Sequence, residues 1–388
     1  MSPYLSLIRQ KKFWIPVLFF VFFDLCLQTG VYRPYLKKGS FAANVVRNTE
    51  YVLEKKSEFE PTILLLGTSV AYQGLSLKTL NETLEPYGEK IQSVAMEGTE
   101  LVVQDSIIRN LLPKFPKVHT VIHILEISTP WVDQEYLQIH TLAMLGELDR
   151  RIAFPLIYDF NYNVQYDDLG FLAFKSIAYR RDIRDFILDP SKRLKDIGRR
   201  RKEQKLTPWP HENTNLPKIS MYPEAKEVLS CLATTNPGNG QAIPQGSDIF
   251  HKKAIWDTCD LAKRTPTVVT KTKSVDNYFL RLGLLYKDIH RIGEENGQKI
   301  RILGVIAPYS EIIKAWRTPE RDRIWQEEVR KIDPEISLLD YQDSLDGSNN
   351  GDYYYDLIHL NRIGMDKFSD IFAADLPSHL GLSGKKKK

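Results

Sequence analysis

An α/β fold built on a parallel sheet is what this sequence predicts, and three observations predict it. Ile63 to Leu66 and Val118 to Ile127 are apolar runs without regular polar alternation, the pattern of strands buried on both faces. Gly67 stops the first run, and helix-like stretches separate it from the next. The same alternation returns between residues 278 and 340, after a long interruption. Repeated strand–helix–strand units build a doubly wound, three-layer sheet.

From the N-terminus, Phe13 to Leu27 (FWIPVLFFVFFDLCL) is broken only by Pro16 and Asp24, and no basic residue follows until Arg33. Residues 13–32 have the length needed to cross a bilayer, with Arg9, Lys11 and Lys12 before them and Trp14 and Tyr32 at interfacial positions. With no small-residue cleavage site after it, the segment reads as an uncleaved, single-pass anchor in the cytoplasmic membrane, carrying the rest of the chain outside. Asp24 is the costly residue in that reading and needs the interface or a partner. Residues 1–36 are thus tail and transmembrane anchor, and 37–60 a linker with one short helix.

The core is expected over 61–135 and 277–380. After the first strand comes a helix (Leu75–Leu84), a short strand (Ile91–Ala95) ending near Gly98, a helix (Leu101–Leu112) and the Val118–Ile127 strand. Residues 136–276 lose the rhythm and gain aromatic, Pro, Asn and basic residues, so they read as an insertion or cap. Core elements resume as a helix (Tyr278–Asn296), a strand (Lys299–Ala307), a helix (Glu320–Ile332), a strand (Ile336–Asp340) and a last helix (Leu360–Leu376). Residues 381–388 are a basic tail.

Composition narrows the function. With 388 residues, 43% hydrophobic, 26% charged and a net charge of +4, the chain is a globular protein rather than a disordered or nucleic-acid-binding one. Basic charge is concentrated locally, with eleven Lys/Arg against five Asp/Glu between Arg180 and Lys205. That stretch is either a solvated helix face or a site for an anionic partner. Outside the apolar segment stand two cysteines, Cys231 and Cys259, which suit a disulfide or two reduced thiols equally. His119 and His123 share strand parity but lack a third ligand, so no metal is expected there. Glu126 reads as an ion-pair residue at the cleft edge, Asn81-Glu82-Thr83 as a chance glycosylation sequon, and Tyr353-Tyr354-Tyr355 as sugar-stacking or wall residues.

Two motifs carry chemistry. Gly67-Thr68-Ser69 follows the first core strand, at the strand end where open α/β sheets bind ligands. Asp356-Leu357-Ile358-His359 precedes the last helix, a spacing that lets a carboxylate hold one imidazole nitrogen while the other faces a nucleophile. Together they resemble the SGNH (GDSL-like) hydrolases, whose fold is a flavodoxin-like parallel sheet. The resemblance implies Ser69 as nucleophile, His359 as general base, Asp356 as its orienter and Gly98, in Val94-Ala95-Met96-Glu97-Gly98, as an oxyanion donor. It also implies Val70, Ser128 and Thr129 as oxyanion or substrate-binding residues. The third block, Gly-x-Asn-Asp in these hydrolases, is absent: the strand ends Glu126-Ile127-Ser128-Thr129-Pro130-Trp131. In this it is similar to membrane-anchored members acting in teichoic-acid D-alanylation and polysaccharide O-acetylation. The expectation is a cofactor-free serine esterase or O-acyltransferase for an acylated envelope glycan, lipid or polymer. The rival is an inactive SGNH-fold envelope protein that binds a glycan or a partner enzyme.

Overall fold

The computed structural model describes residues 11–37, 40–54, 56, 59–125, 135–203, 273–310, 319–346, 350–355 and 358–382. Its elements in chain order begin with α1 (Lys11–Gln28), α2 (Phe41–Glu54), β1 (Ile63–Leu66), α3 (Ser69–Gly74), α4 (Leu77–Leu84), β2 (Ile91–Ser93), α5 (Leu101–Leu111) and β3 (Thr120–Leu125). There follow α6 (Ile139–Leu145), α7 (Arg150–Asp159), α8 (Tyr166–Ala173), α9 (Lys175–Ala178), α10 (Arg180–Leu188) and α11 (Pro190–Glu203). The last are α12 (Lys273–Glu295), β4 (Arg301–Ile306), α13 (Pro319–Ile332), β5 (Ser337–Asp340) and α14 (Arg362–His379).

The chain divides into two compact units, one from residues up to 47 with 136–208, the other from 48–135 with the residues after 208. The second unit holds a five-stranded, all-parallel sheet in the order β2-β1-β3-β4-β5. Every residue of β1 and β3 is buried, which explains their unbroken apolar sequence. Helix α4 starts where Ser76 accepts a hydrogen bond from the Thr79 N–H, so the helix expected over Leu75–Leu84 begins at Leu77, and the short α3 precedes it. Helices α3 and α4 pack on α14, while α5 and α13 pack on α12. Right-handed crossovers in this strand order put the two sets on opposite faces of the sheet.

The first unit is helical. Its apolar cluster gathers Leu27, Leu36, Ala42, Ala43, Val46 and Tyr179. The expected membrane span, residues 13–32, falls in this unit. The apolar segment forms α1, but the chain turns after Gln28, and the helix includes Lys11, Lys12 and Asp24. Asp24 is 5% exposed, and its carboxylate accepts from the Ser176 N–H (2.7 Å) and hydroxyl (2.8 Å) and from the Gln28 amide (2.8 Å). Among the described residues, no helix is long and apolar enough to cross a membrane. The opposite side of α1 is apolar and open, with Ile15, Phe19 and Phe22 each about two-thirds exposed.

In the basic stretch, Arg193 is buried and taken up internally, donating to Asp182 (3.0 Å) and the Tyr35 carbonyl (2.6 Å). Cys231 and Cys259 lie outside the described residues.

Candidate active site

Ser69 stands at the first position of α3, directly beyond β1 and Gly67. In the order 2-1-3-4-5, β1 and β3 are the neighbours between which the chain reverses its direction of winding, and ligands bind at that switch point. Gly67 makes the tight exit possible. It has φ +149°, and a Cβ there would lie 2.7 Å from the Ala71 Cβ and 3.2 Å from the Ile124 carbonyl oxygen. Thr68 caps α3, its hydroxyl accepting from the Val70 N–H at 3.3 Å.

His359 comes from the other end of the chain. A short antiparallel bridge joins Tyr354 to Leu360, and the Tyr355 N–H donates to the His359 carbonyl at 3.1 Å. Asn361, wholly buried, closes this loop: its amide donates to the Asp352 carbonyl (2.6 Å) and its side-chain oxygen accepts from the Gly364 N–H (3.0 Å), capping α14. Gly364 has to be glycine, because a Cβ would sit 2.1 Å from the Tyr353 carbonyl oxygen. The loop delivers the His359 Nε2 to 2.7 Å from the Ser69 Oγ. That is a full hydrogen bond across 290 residues of sequence. In the imidazole tautomer protonated at Nδ1, Nε2 accepts the serine proton, which is the arrangement of a general base on its nucleophile.

Gly98 belongs to the same neighbourhood. It takes φ +71° in a turn tied to the residue before Thr68: the Met96 N–H donates to the Gly67 carbonyl at 3.3 Å, and the Thr99 hydroxyl donates to it at 3.1 Å. Val70 is buried one residue past Ser69. Asp356, Ser128, Thr129 and Glu126 lie outside the described residues.

Three residues that the sequence reading passed over, or left open, stand around the pair. Tyr355 stacks on the His359 ring, with centroids 5.7 Å apart and planes 11° apart. Its hydroxyl donates to the Gln73 side-chain oxygen, and the Gln73 amide donates to Glu97 at 2.7 Å. The signal for Gln73 was its place four residues after Ser69, one turn along the same helix. Of the tyrosine run, Tyr354 is fully buried, and Tyr353 lies under the Lys367 ammonium, 4.3 Å from the ring centroid. Burial makes Tyr354 a wall residue, and the Tyr353 ring is covered by Lys367.

No family model and no curated protein matches this sequence.

The remaining histidine and sequon residues are structural. His123 is buried against Tyr286 (3.1 Å to its hydroxyl), and burial pushes its imidazole down to about 3, so it stays neutral. His119 pairs instead with Glu89 at 2.9 Å. Asn81, 6% exposed, bonds both the N–H (3.0 Å) and the carbonyl (2.9 Å) of Ile91 and is closed to glycosylation. Among the described residues, no cluster of three metal-ligating side chains exists. An open groove of about 1090 Å³, lined by Tyr286, His290, Arg291, Lys299 and Asp333, lies where β4 begins. That is the opposite end of the sheet from Ser69.

Proposed function

We propose that this protein is an SGNH-type serine esterase or O-acyltransferase acting on an acylated envelope glycan, lipid or polymer. The observation that carries the reading is the Ser69 Oγ to His359 Nε2 hydrogen bond of 2.7 Å at the switch point of the sheet. Ser69 attacks the acyl carbonyl as His359 takes its proton; His359 then returns the proton to the departing alcohol, leaving an acyl-serine. Water completes hydrolysis, and a second hydroxyl completes transfer. Asp356 fits the orienting role by its spacing in sequence, and Gly98 supplies a backbone N–H at the turn bonded to Gly67.

A lipid-facing station outside the cytoplasm is part of this proposal. Its support is the open side of α1, where Ile15, Leu18, Phe19 and Phe22 are each more than 60% exposed beside Trp14. So much contiguous apolar surface marks a site of contact. An in-plane seat at a membrane surface fits it, with Lys11 and Lys12 at one end.

The sequence of the third block favours a second reading. Without an asparagine between Glu126 and Gln134, one expected oxyanion donor is missing, as in a protein that keeps the fold to bind a glycan or a partner enzyme. Removing one such donor costs about 10²–10³ in kcat. The full chain, purified in detergent, separates the two readings by release of p-nitrophenol from short acyl esters. Turnover that disappears in Ser69→Ala supports the enzyme; a folded wild type with no turnover supports the binding protein.

A further inference from the structure

We infer that Tyr355 is a positioning residue for His359, held in place by Gln73 and Glu97. The inference deepens the reading above and rests on it. An imidazole rotates freely about its last side-chain bond, since that torsion is broad and roughly two-fold. A base that must meet one hydroxyl therefore needs its plane fixed. The Tyr355 ring lies 11° from parallel to the His359 ring at 5.7 Å, an offset stack that restrains that rotation.

Tyr355 is itself fixed. Its phenol donates to the Gln73 Oε1, while the Gln73 Nε2 donates to the Glu97 Oε1 at 2.7 Å. The amide has a single workable orientation, because a flip would turn its oxygen toward the carboxylate. Gln73 is 6% exposed, so its amide relies on these partners. It sits one turn from Ser69 on α3, and Glu97 is the neighbour of Gly98. The chain Glu97–Gln73–Tyr355 thus links the three pieces that must keep register: the turn of Gly98, the helix of the nucleophile and the loop of the base. Phenylalanine would stack as well but would leave the buried Gln73 oxygen without its donor. A tyrosine acting only as wall would need neither the stack nor the amide.

The test uses the full chain and a fluorophosphonate probe, reading the second-order rate of Ser69 labelling together with kcat and KM for a p-nitrophenyl ester. Tyr355→Phe keeps the stack and slows labelling about 3–10-fold, the value of one hydrogen bond. Tyr355→Leu loses the stack and slows it about 10–100-fold, through kcat with KM unchanged, as a misplaced base does. Gln73→Met, unable to hold the phenol, slows labelling as Tyr355→Phe does, and the double variant is no slower than either single, because both break one chain. Multiplicative losses in the double variant, a loss confined to KM, or wild-type rates in Tyr355→Leu overturn the inference while leaving the serine enzyme intact. A folded wild type that does not label removes the enzyme reading and this inference together.

Discussion

The strands of the sheet unit and the helices of the other unit keep their interiors by different means. In the sheet unit, Ile63, Leu64, Leu65 and Leu66 are each at most 1% exposed, and the register is set by apolar side chains on both faces. In the helical unit, the decisive interior groups are charged. Glu147, its side chain fully buried, accepts from the Lys175 ammonium, the Tyr179 hydroxyl and the Arg33 guanidinium (3.2 Å). Burial lowers the Lys175 ammonium below its ordinary value, and the Glu147 charge opposes that shift. Asp182 likewise gathers Arg193, the Tyr32 hydroxyl and the Lys37 N–H (2.6 Å). Apolar interiors tolerate small changes of shape, whereas buried charge networks fail when one member is removed.

That contrast sets three expectations for stability, read by hydrogen exchange of peptides from each unit, since the two need not unfold together. The largest effect is Glu147→Gln, nearly isosteric, which strands the buried Lys175 charge and costs the helical unit about 3–5 kcal/mol. A loss below about 1 kcal/mol would erase the distinction between the units. In the sheet unit, Ile63→Val also changes little in shape and costs only about 0.5–1.5 kcal/mol. A cost equal to that of Glu147→Gln would break the comparison from the other side.

The smallest effect depends on pH. In the sheet unit His290 meets Asp333 at 3.0 Å; the Asp333 partner raises the imidazole above its ordinary value, and the His290 bond lowers Asp333 against the opposing pull of burial. A raised imidazole stabilises fully below its unfolded value near 6.5 and loses that contribution as pH rises through its higher folded value. The lowered carboxyl adds stability above 3.8, lost as pH falls through its folded value. His290→Gln therefore costs about 0.5–1 kcal/mol at pH 5.5 and less at pH 8.5, since the His290 side chain is 32% exposed while Asp333 is buried. An equal cost at both pH values would show that the pair contributes no linked charge.

The same contrast explains what could be read from the sequence. Strands buried on both faces are unbroken apolar runs, so β1, β3 and β4 were legible, although the start of β3 was not: the run expected from Val118 becomes strand only at Thr120. Ser69 and His359 were legible because each follows or precedes a core element at a fixed offset. Buried charge networks leave no periodic trace. Glu147 finds Lys175 and Tyr179 within its own unit at separations of 28 and 32, and Tyr32 finds Asp182 at 150, spacings that only the folded chain creates. For the same reason Asp24 read as an awkward charge in a membrane span, where the fold satisfies it with Ser176. Tyr355, Gln73 and Glu97 were hidden too, since no local pattern links residues 282 and 24 positions apart.

The most direct measurement of the central claim is the mass of the full chain after fluorophosphonate treatment. If Ser69 is a nucleophile activated by His359, one adduct forms on the peptide containing Ser69, vanishes in Ser69→Ala, and forms about 10³-fold or more slowly in His359→Ala. An adduct elsewhere, or one that forms on Ser69 equally fast without His359, would contradict the account.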